Sequence, residues 1–299
     1  MFATPFGVHP YRCVSTIRGA VLTTLLGLTA LLAVNTADAQ ETREYPPREY
    51  YLSFEYYKDG EFADAYRAFT TSSRSGIRST EGRWVDSICY HTMLGECFYQ
   101  MGELDQALEQ YNSALKLFVA HQGWMQRVRF PSQITRSSSI RASSIPWGRS
   151  TRRATKGHIP DKLVSLQGRF DNKQVVRRGG VLAAPEYVPV QVQEIVRCVA
   201  VSLRRRRELM GPACPYDPLT TQLVTILSGR PGPANHWSQG WIDVLLGLAY
   251  ACDDKPVQAM EHLNRGIVLA ARFDHVLTPI VLLELGKLAM QDGKFEVAS

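Results

Sequence analysis

The stretch 94–114, LGECFYQMGELDQALEQYNSA, constrains the fold more than any other part of the chain. It reads as two amphipathic helices joined by a tight turn at Gly102. Leu94, Gly95 and Phe98 share one side of the first helix. Ala107, Tyr111 and Ala114 share one side of the second, because residues three and four apart are neighbours on a helix surface. The small residues let the two backbones approach closely, and the aromatics fill the space beside the crossing. Glycine at the turn accepts the positive φ that a helix end often requires.

The same offsets recur. Leu52, Ser53, Tyr56, Gly60, Ala65, Phe69 and Ser72 form an earlier copy. Leu246, Gly247, Tyr250, Asp254, Ala259, Leu263 and Gly266 form a third, with Asp254 in place of the turn glycine. Leu285, Gly286, Ala289, Gly293 and Ala298 begin a fourth. This periodicity predicts an all-α chain of antiparallel helix pairs, stacked one on the next. Helices are expected at 48–58, 61–72, 84–101, 104–120, 241–251, 256–271 and 279–290. A degenerate pair is expected between, with Ile195, Val199 and Leu203 on its first helix and Leu219, Leu223, Ile226 and Leu227 on its second. Asp217-Pro218 starts that second helix as cap and first residue. The sequence stops at Ser299, inside the expected second helix of the fourth copy, and so reads as a fragment or a truncated frame.

These residues resemble the tetratricopeptide repeat family, whose unit is a helix-turn-helix of about 34 residues. The turns at Gly60 and Gly102 lie farther apart than one such unit, and the proline that often closes the family's unit is missing. The resemblance implies an α-solenoid whose first helices line a concave surface that binds a protein or peptide partner. Carried over by helix face, the inner positions are Tyr50, Phe54, Tyr57, Lys58, Thr92, Glu96, Tyr99 and Gln100, and later Trp241, Val244, Leu248, Lys287 and Met290. Family members that grip a terminal carboxylate use Lys, Arg and Asn on this face. Tyr50 and Phe54 stand there instead, which argues against carboxylate capture.

Residues 1–39 read as a secretory signal peptide. Arg12 and Arg18 precede the 16-residue apolar run GAVLTTLLGLTALLAV, and Ala37-Asp38-Ala39 is a small-x-small cleavage pattern. The run at 19–34 is short for a membrane span, so cleavage and a periplasmic or extracellular protein are expected, with a membrane anchor as the alternative. The mature chain then divides into helical repeats at 40–122, an irregular basic insertion at 123–190 and further helical repeats at 191–299. Five cysteines follow the leader, with no metal-binding spacing, and buried free thiols are expected.

Charge is uneven. The net charge is +6, yet residues 121–180 hold 13 Lys or Arg against 2 Asp, a net +11, which leaves −5 for the remainder. Arg127, Arg129, Arg136, Arg141, Arg149, Arg152, Arg153 and Lys156 interleave with Trp124, Phe130 and Trp147. That composition suits either a solvated connector or a surface for an anionic envelope component; export disfavours nucleic acid. A small hairpin is expected within 163–192. The four consecutive arginines Arg204–Arg207 span most of a helix circumference, so at least two must face solvent or meet acids. No catalytic, phosphate-cradling or dinucleotide motif occurs, and no cofactor or metal is expected. The expected function is a non-catalytic interaction scaffold. The alternatives are an enzyme with a site in 160–240 and a polyanion-binding envelope protein.

Overall fold

The structure, a computed structural model, describes residues 44–79, 82–137, 155–167 and 186–293. The expected leader, Arg141, Trp147, Arg149, Arg152, Arg153 and Ala298 lie outside the described residues.

The first helix pair is α1 (Arg48–Lys58) and α2 (Phe62–Ser73), and the second is α3 (Ser87–Met101) and α4 (Leu104–Ala120). Then come α5 (Val192–Met210), a 3-10 segment at Gly211–Tyr216, and α6 (Pro218–Ser228). Helices α7 (Gln239–Cys252), α8 (Pro256–Gly266) and α9 (Thr278–Gln291) complete the described chain. The protein is mostly helical.

The offsets of the turn and the second helix land on equivalent structural positions, but those of the first helix do not: Leu52 and Tyr56, expected to pack between helices, are exposed at the open side of the first pair, whereas Leu246 is buried. Gly60, Gly102 and Gly293 all have φ between 73° and 83°, and Asp254 takes φ 52° at the same place in its copy. Aspartate tolerates this left-handed region better than most residues because its short polar side chain bonds locally, so the missing glycine does not remove the turn. Ala65, Ala107 and Ala259 are fully buried, as are Phe69, Tyr111 and Leu263. A Cβ on Gly95 would lie 2.7 Å from Tyr111 Cε1, which shows how closely α3 and α4 cross there. Asp217 Oδ1 accepts from the Leu219 amide at 2.8 Å, which caps α6.

The first and last helical blocks share one core. Helix α5 packs against α3, α4 and α7, and α6 packs against α4 and α7. Buried apolar side chains run without a break from Tyr50 through Leu203 and Trp241 to Leu288.

Two further expectations are corrected. The helix expected at 256–271 ends at Gly266. Gly266 is pressed against Gly240, whose carbonyl oxygen would lie 2.6 Å from an added Cβ. Beyond it Ala270 and Ala271 take positive φ in a tight turn closed by Leu269 and Phe273. The basic insertion expected to be irregular is paired to the rest of the chain where it is described. Short strands β1 (Arg78–Ser79) and β2 (Gly82–Arg83) pair before it. Within it β3 (Thr135–Arg136) pairs antiparallel with β4 (Gly157–His158), and β5 (Leu163–Gln167) with β6 (Glu186–Val190). The β5–β6 ribbon, anticipated as a hairpin, is held at both sides. Tyr45 N donates to Pro189 O at 3.1 Å and Arg129 N to Val164 O at 2.8 Å. Hydrogen bonding to neighbouring backbone, which local composition does not encode, supplies the order.

Candidate functional site

Several residues expected on an open inner surface are instead contacts between helices. Tyr50 is fully buried, its ring 5.5 Å from Tyr90, and its hydroxyl donates to Glu194 Oε1 of α5 at 2.5 Å. Thr92 is fully buried, with Oγ1 2.9 Å from Ser202 Oγ. Trp241, Val244 and Leu248 are buried in the core. These are corrections with a single cause: α5 lies beside both α3 and α7. Positions turned slightly from the inner face are therefore consumed by lateral helix packing. Phe54 is half-buried against Tyr50 and Phe69. Lys58 is exposed and paired with Glu55 on its own helix.

What remains partly open is a polar strip across α1, α3, α5 and α9. Its centre is Glu96, expected as an exposed contact and found buried. Arg205 Nε donates to Glu96 Oε1 at 2.8 Å and Nη2 to Oε2 at 3.1 Å. Tyr111 OH donates to Oε1 at 2.6 Å and Tyr57 OH to Oε2 at 3.3 Å. The Arg205 guanidinium lies 3.9 Å from the centre of the Tyr99 ring, in cation–π geometry. Exposed Gln100 reaches the Tyr57 hydroxyl at 3.4 Å.

The strip continues toward α9. Arg205 Nη1 and Arg204 Nη2 donate to the two oxygens of Glu208, at 2.9 and 3.0 Å. Lys287 Nζ donates to Glu208 at 2.8 Å and lies 3.4 Å from Glu284. Arg207 Nη1 donates to Glu284 Oε2 at 3.0 Å, and Nη2 to Gln291. Four cations thus face three carboxylates, and the strip carries one net positive charge. Glu284 is nearly enclosed, whereas the Lys287 side chain is 37% exposed. Met290, at the end of α9, is exposed.

Titration follows this arrangement. Burial acts against the charge of Arg205, but the Glu96 and Glu208 carboxylates outweigh it and its pKa is raised. Burial pushes the Tyr57 and Tyr111 hydroxyls up, and Glu96 adds to both. Glu208 is lowered because hydrogen bonds from Lys287 and Arg205 overcome its partial burial. Arg205, Tyr57, Tyr111 and Glu208 therefore keep their ordinary charge states near neutrality.

Sequence reasoning named Tyr57, Glu96, Tyr99, Gln100 and Lys287 but missed the partners that join them. Arg204, Arg205 and Arg207 were visible as a run that demanded acids. Glu208 and Glu284 carried no periodic signal of their own.

The described aromatics of the basic insertion, Trp124 and Phe130, pack against the core. Trp124 is buried, and Phe130 packs among His236, Trp237 and Trp241 with ring centres 5.3, 5.5 and 6.2 Å away. Of the expected polyanion residues, Arg129 stacks over Tyr187 at 3.9 Å, and Arg127, Arg136 and Lys156 are exposed. Trp237 Nε1 donates to Pro131 O at 2.8 Å, which holds Phe130 and the adjoining segment against the turn before α7. Among the described residues no cluster of three or more His, Cys, Asp or Glu is arranged to hold a metal, and no helix is long and apolar enough to cross a membrane.

No family model and no curated protein matches the chain. Among solved structures it is similar to the crystal structure of BtubC (BKLC) from P. vanneervenii, with 13% identity, 83% of this chain and 72% of that chain covered, and a TM-score of 0.36. A likeness of that degree carries no argument about fold or function.

Proposed function

We propose that this chain is an exported, non-catalytic scaffold of tetratricopeptide-like helix pairs that binds an extended peptide segment along the polar strip. The stacked-repeat reading rests on the left-handed turns at Gly60, Gly102, Asp254 and Gly293 and on the buried alanines five residues after the first three of them. The binding reading rests on one observation: the strip is joined by ion pairs yet left half open, with Tyr57, Tyr99, Gln100 and Lys287 reaching its surface. Rings that are already held in place present area at little further entropic cost. The surplus positive charge favours a segment bearing acidic groups, attracted more strongly at low salt.

Selection from a displayed peptide library, followed by anisotropy titration of the winners, tests this. Tyr99→Ala and Lys287→Gln should each weaken binding by about tenfold or more while leaving the far-UV circular dichroism spectrum of the folded chain unchanged. Selected peptides that bind both variants as tightly as wild type would remove the strip from consideration.

A further inference from the structure

The five described cysteines are all buried and all free. Four of them lie in two adjacent pairs: Cys89 with Cys198, and Cys214 with Cys252, each pair close enough to share a hydrogen bond. The pairs differ in their surroundings. Cys198 Sγ lies 3.4 Å from the Glu194 carboxylate and 3.8 Å from the Tyr50 hydroxyl. Burial, then neighbouring Cys198 and the Glu194 and Asp86 carboxylates, push the Cys89 thiol up. Arg197 Nη2 lies 3.7 Å from Cys198 Sγ, but its guanidinium is engaged by both oxygens of Glu194, at 2.6 and 2.7 Å.

Cys214 has the opposite setting. Arg206, fully buried, donates Nη1 to Cys214 Sγ at 3.2 Å and to Thr220 Oγ1 at 2.6 Å. Cys252 Sγ donates to Leu203 O at 3.4 Å. The neighbouring Cys252, then the Arg206 charge and Thr220, lower the Cys214 thiol to about 7 against its burial, while Cys252 is raised. A thiolate held by a cation beside a second thiol is the arrangement that reacts fastest with disulfides near neutral pH. Access is short as well. Cys214 sits on the 3-10 segment between α5 and α6, where Gly211, Pro212, Ala213 and Tyr216 are all exposed and Tyr216 is 88% exposed.

We propose that Cys214 and Cys252 form a thiol–disulfide exchange site, in which Cys214 attacks a low-molecular-weight disulfide and Cys252 resolves the product. The Cys214 thiolate bonds to one sulfur of the oxidant and its S–S bond breaks. One thiolate leaves and takes a proton from water, and a mixed disulfide remains on Cys214. Cys252 then gives up its proton, and its sulfur attacks Cys214 Sγ, releasing the second thiolate. Two protein thiols are oxidised to one disulfide, and one small disulfide is reduced to two thiols. The charged groups facing the pair are Arg206 and Arg207 of α5 and Asp217 before α6. Closure would tie the end of α7 to the connection between α5 and α6.

The full chain is incubated natively with glutathione disulfide, quenched by alkylation and mapped by tryptic mass spectrometry. The expected result is a 214–252 crosslink, with Cys89, Cys97 and Cys198 still alkylated. The rate should be half-maximal near pH 7 and fall below it. Cys252→Ser should stop at the mixed disulfide and accumulate glutathione on Cys214, whereas Cys214→Ser should leave Cys252 unmodified. Overturning results are a Cys89–Cys198 crosslink forming first, both Cys214 and Cys252 remaining alkylated across the oxidant series, or no mixed disulfide in folded Cys252→Ser. The wild-type map decides the proposal even if a serine variant does not fold.

Discussion

Replacing Glu96 with glutamine tests the polar strip at its centre. The change keeps the size of the side chain and removes its charge. Both side chains of the Glu96–Arg205 pair are largely enclosed, at 11% and 14% exposure, so solvent does little to replace what is lost. Two charge-assisted bonds from Arg205 and the 2.6 Å bond from Tyr111 become one neutral acceptor and one amide donor that points at other donors. Breaking a buried pair on one side costs about 3–5 kcal/mol. Glu208 still partners Arg205, which places the expected loss near the lower end, at about 3 kcal/mol. With a urea dependence of roughly 3 kcal/mol per molar for a chain of this size, the midpoint should fall by about 1 M. Equilibrium urea unfolding followed by circular dichroism reads this directly. Arg205→Met and the double variant complete the cycle, and the double variant should lose at least about 1 kcal/mol less than the sum of the singles. A shift below about 0.3 M, or strict additivity, would mean that Glu96 and Arg205 do not act as a pair.

Two further changes probe the frame. Gly95→Ala places a methyl 2.7 Å from the Tyr111 ring; overpacking of about 1–3 kcal/mol should exceed the gain of about 1 kcal/mol in helix propensity, and an unchanged thermal midpoint would show that α3 and α4 have room. Asp86 is buried, accepts from the Ile77 amide at 3.0 Å, and is pushed up to about 7, chiefly by burial. The folded state therefore holds its proton where the unfolded chain has lost it, and this residue's contribution to stability is lost as pH rises from about 4 to about 7. Asp86→Asn should remove that slope, gaining on wild type by an amount on the order of 4 kcal/mol between pH 4 and pH 8. Parallel pH–stability curves for the two proteins would contradict it.

The helices and their crossings were legible because the sequence writes them locally. Leu94, Gly95, Phe98, Gly102, Ala107 and Tyr111 specify a helix, a stop, a second helix and their contact within a short span. Inner-surface residues were legible only to the level of a helix side. Trp241 and Tyr99 were both placed on the inner face of their helices, yet one is in the core and the other half open. The difference is set by α5, which arrives from far along the chain. Long-range ion pairs such as Glu96 with Arg205 leave no periodic trace, since either partner alone looks like a solvated charge. Trp124 and Phe130 of the basic insertion misled for the converse reason: composition suggested a surface, and a hydrogen bond from Trp237 to Pro131 holds the segment around Phe130 against the core.

The arginine run on α5 has a consequence for how that helix is seated. Successive residues of a helix point about 100° apart, and the four arginines are bound in three different directions. Arg205 engages α3, Arg206 meets Asn112 of α4 and Asp217 at the start of α6, and Arg204 and Arg207 engage α9. Apolar packing alone tolerates a modest roll of a helix about its own axis. These bonds do not, because any roll that preserved one would break the others. The run indexes α5 to a single angular setting, so a one-residue deletion within 193–203 should cost more than a large-to-small substitution at any one arginine.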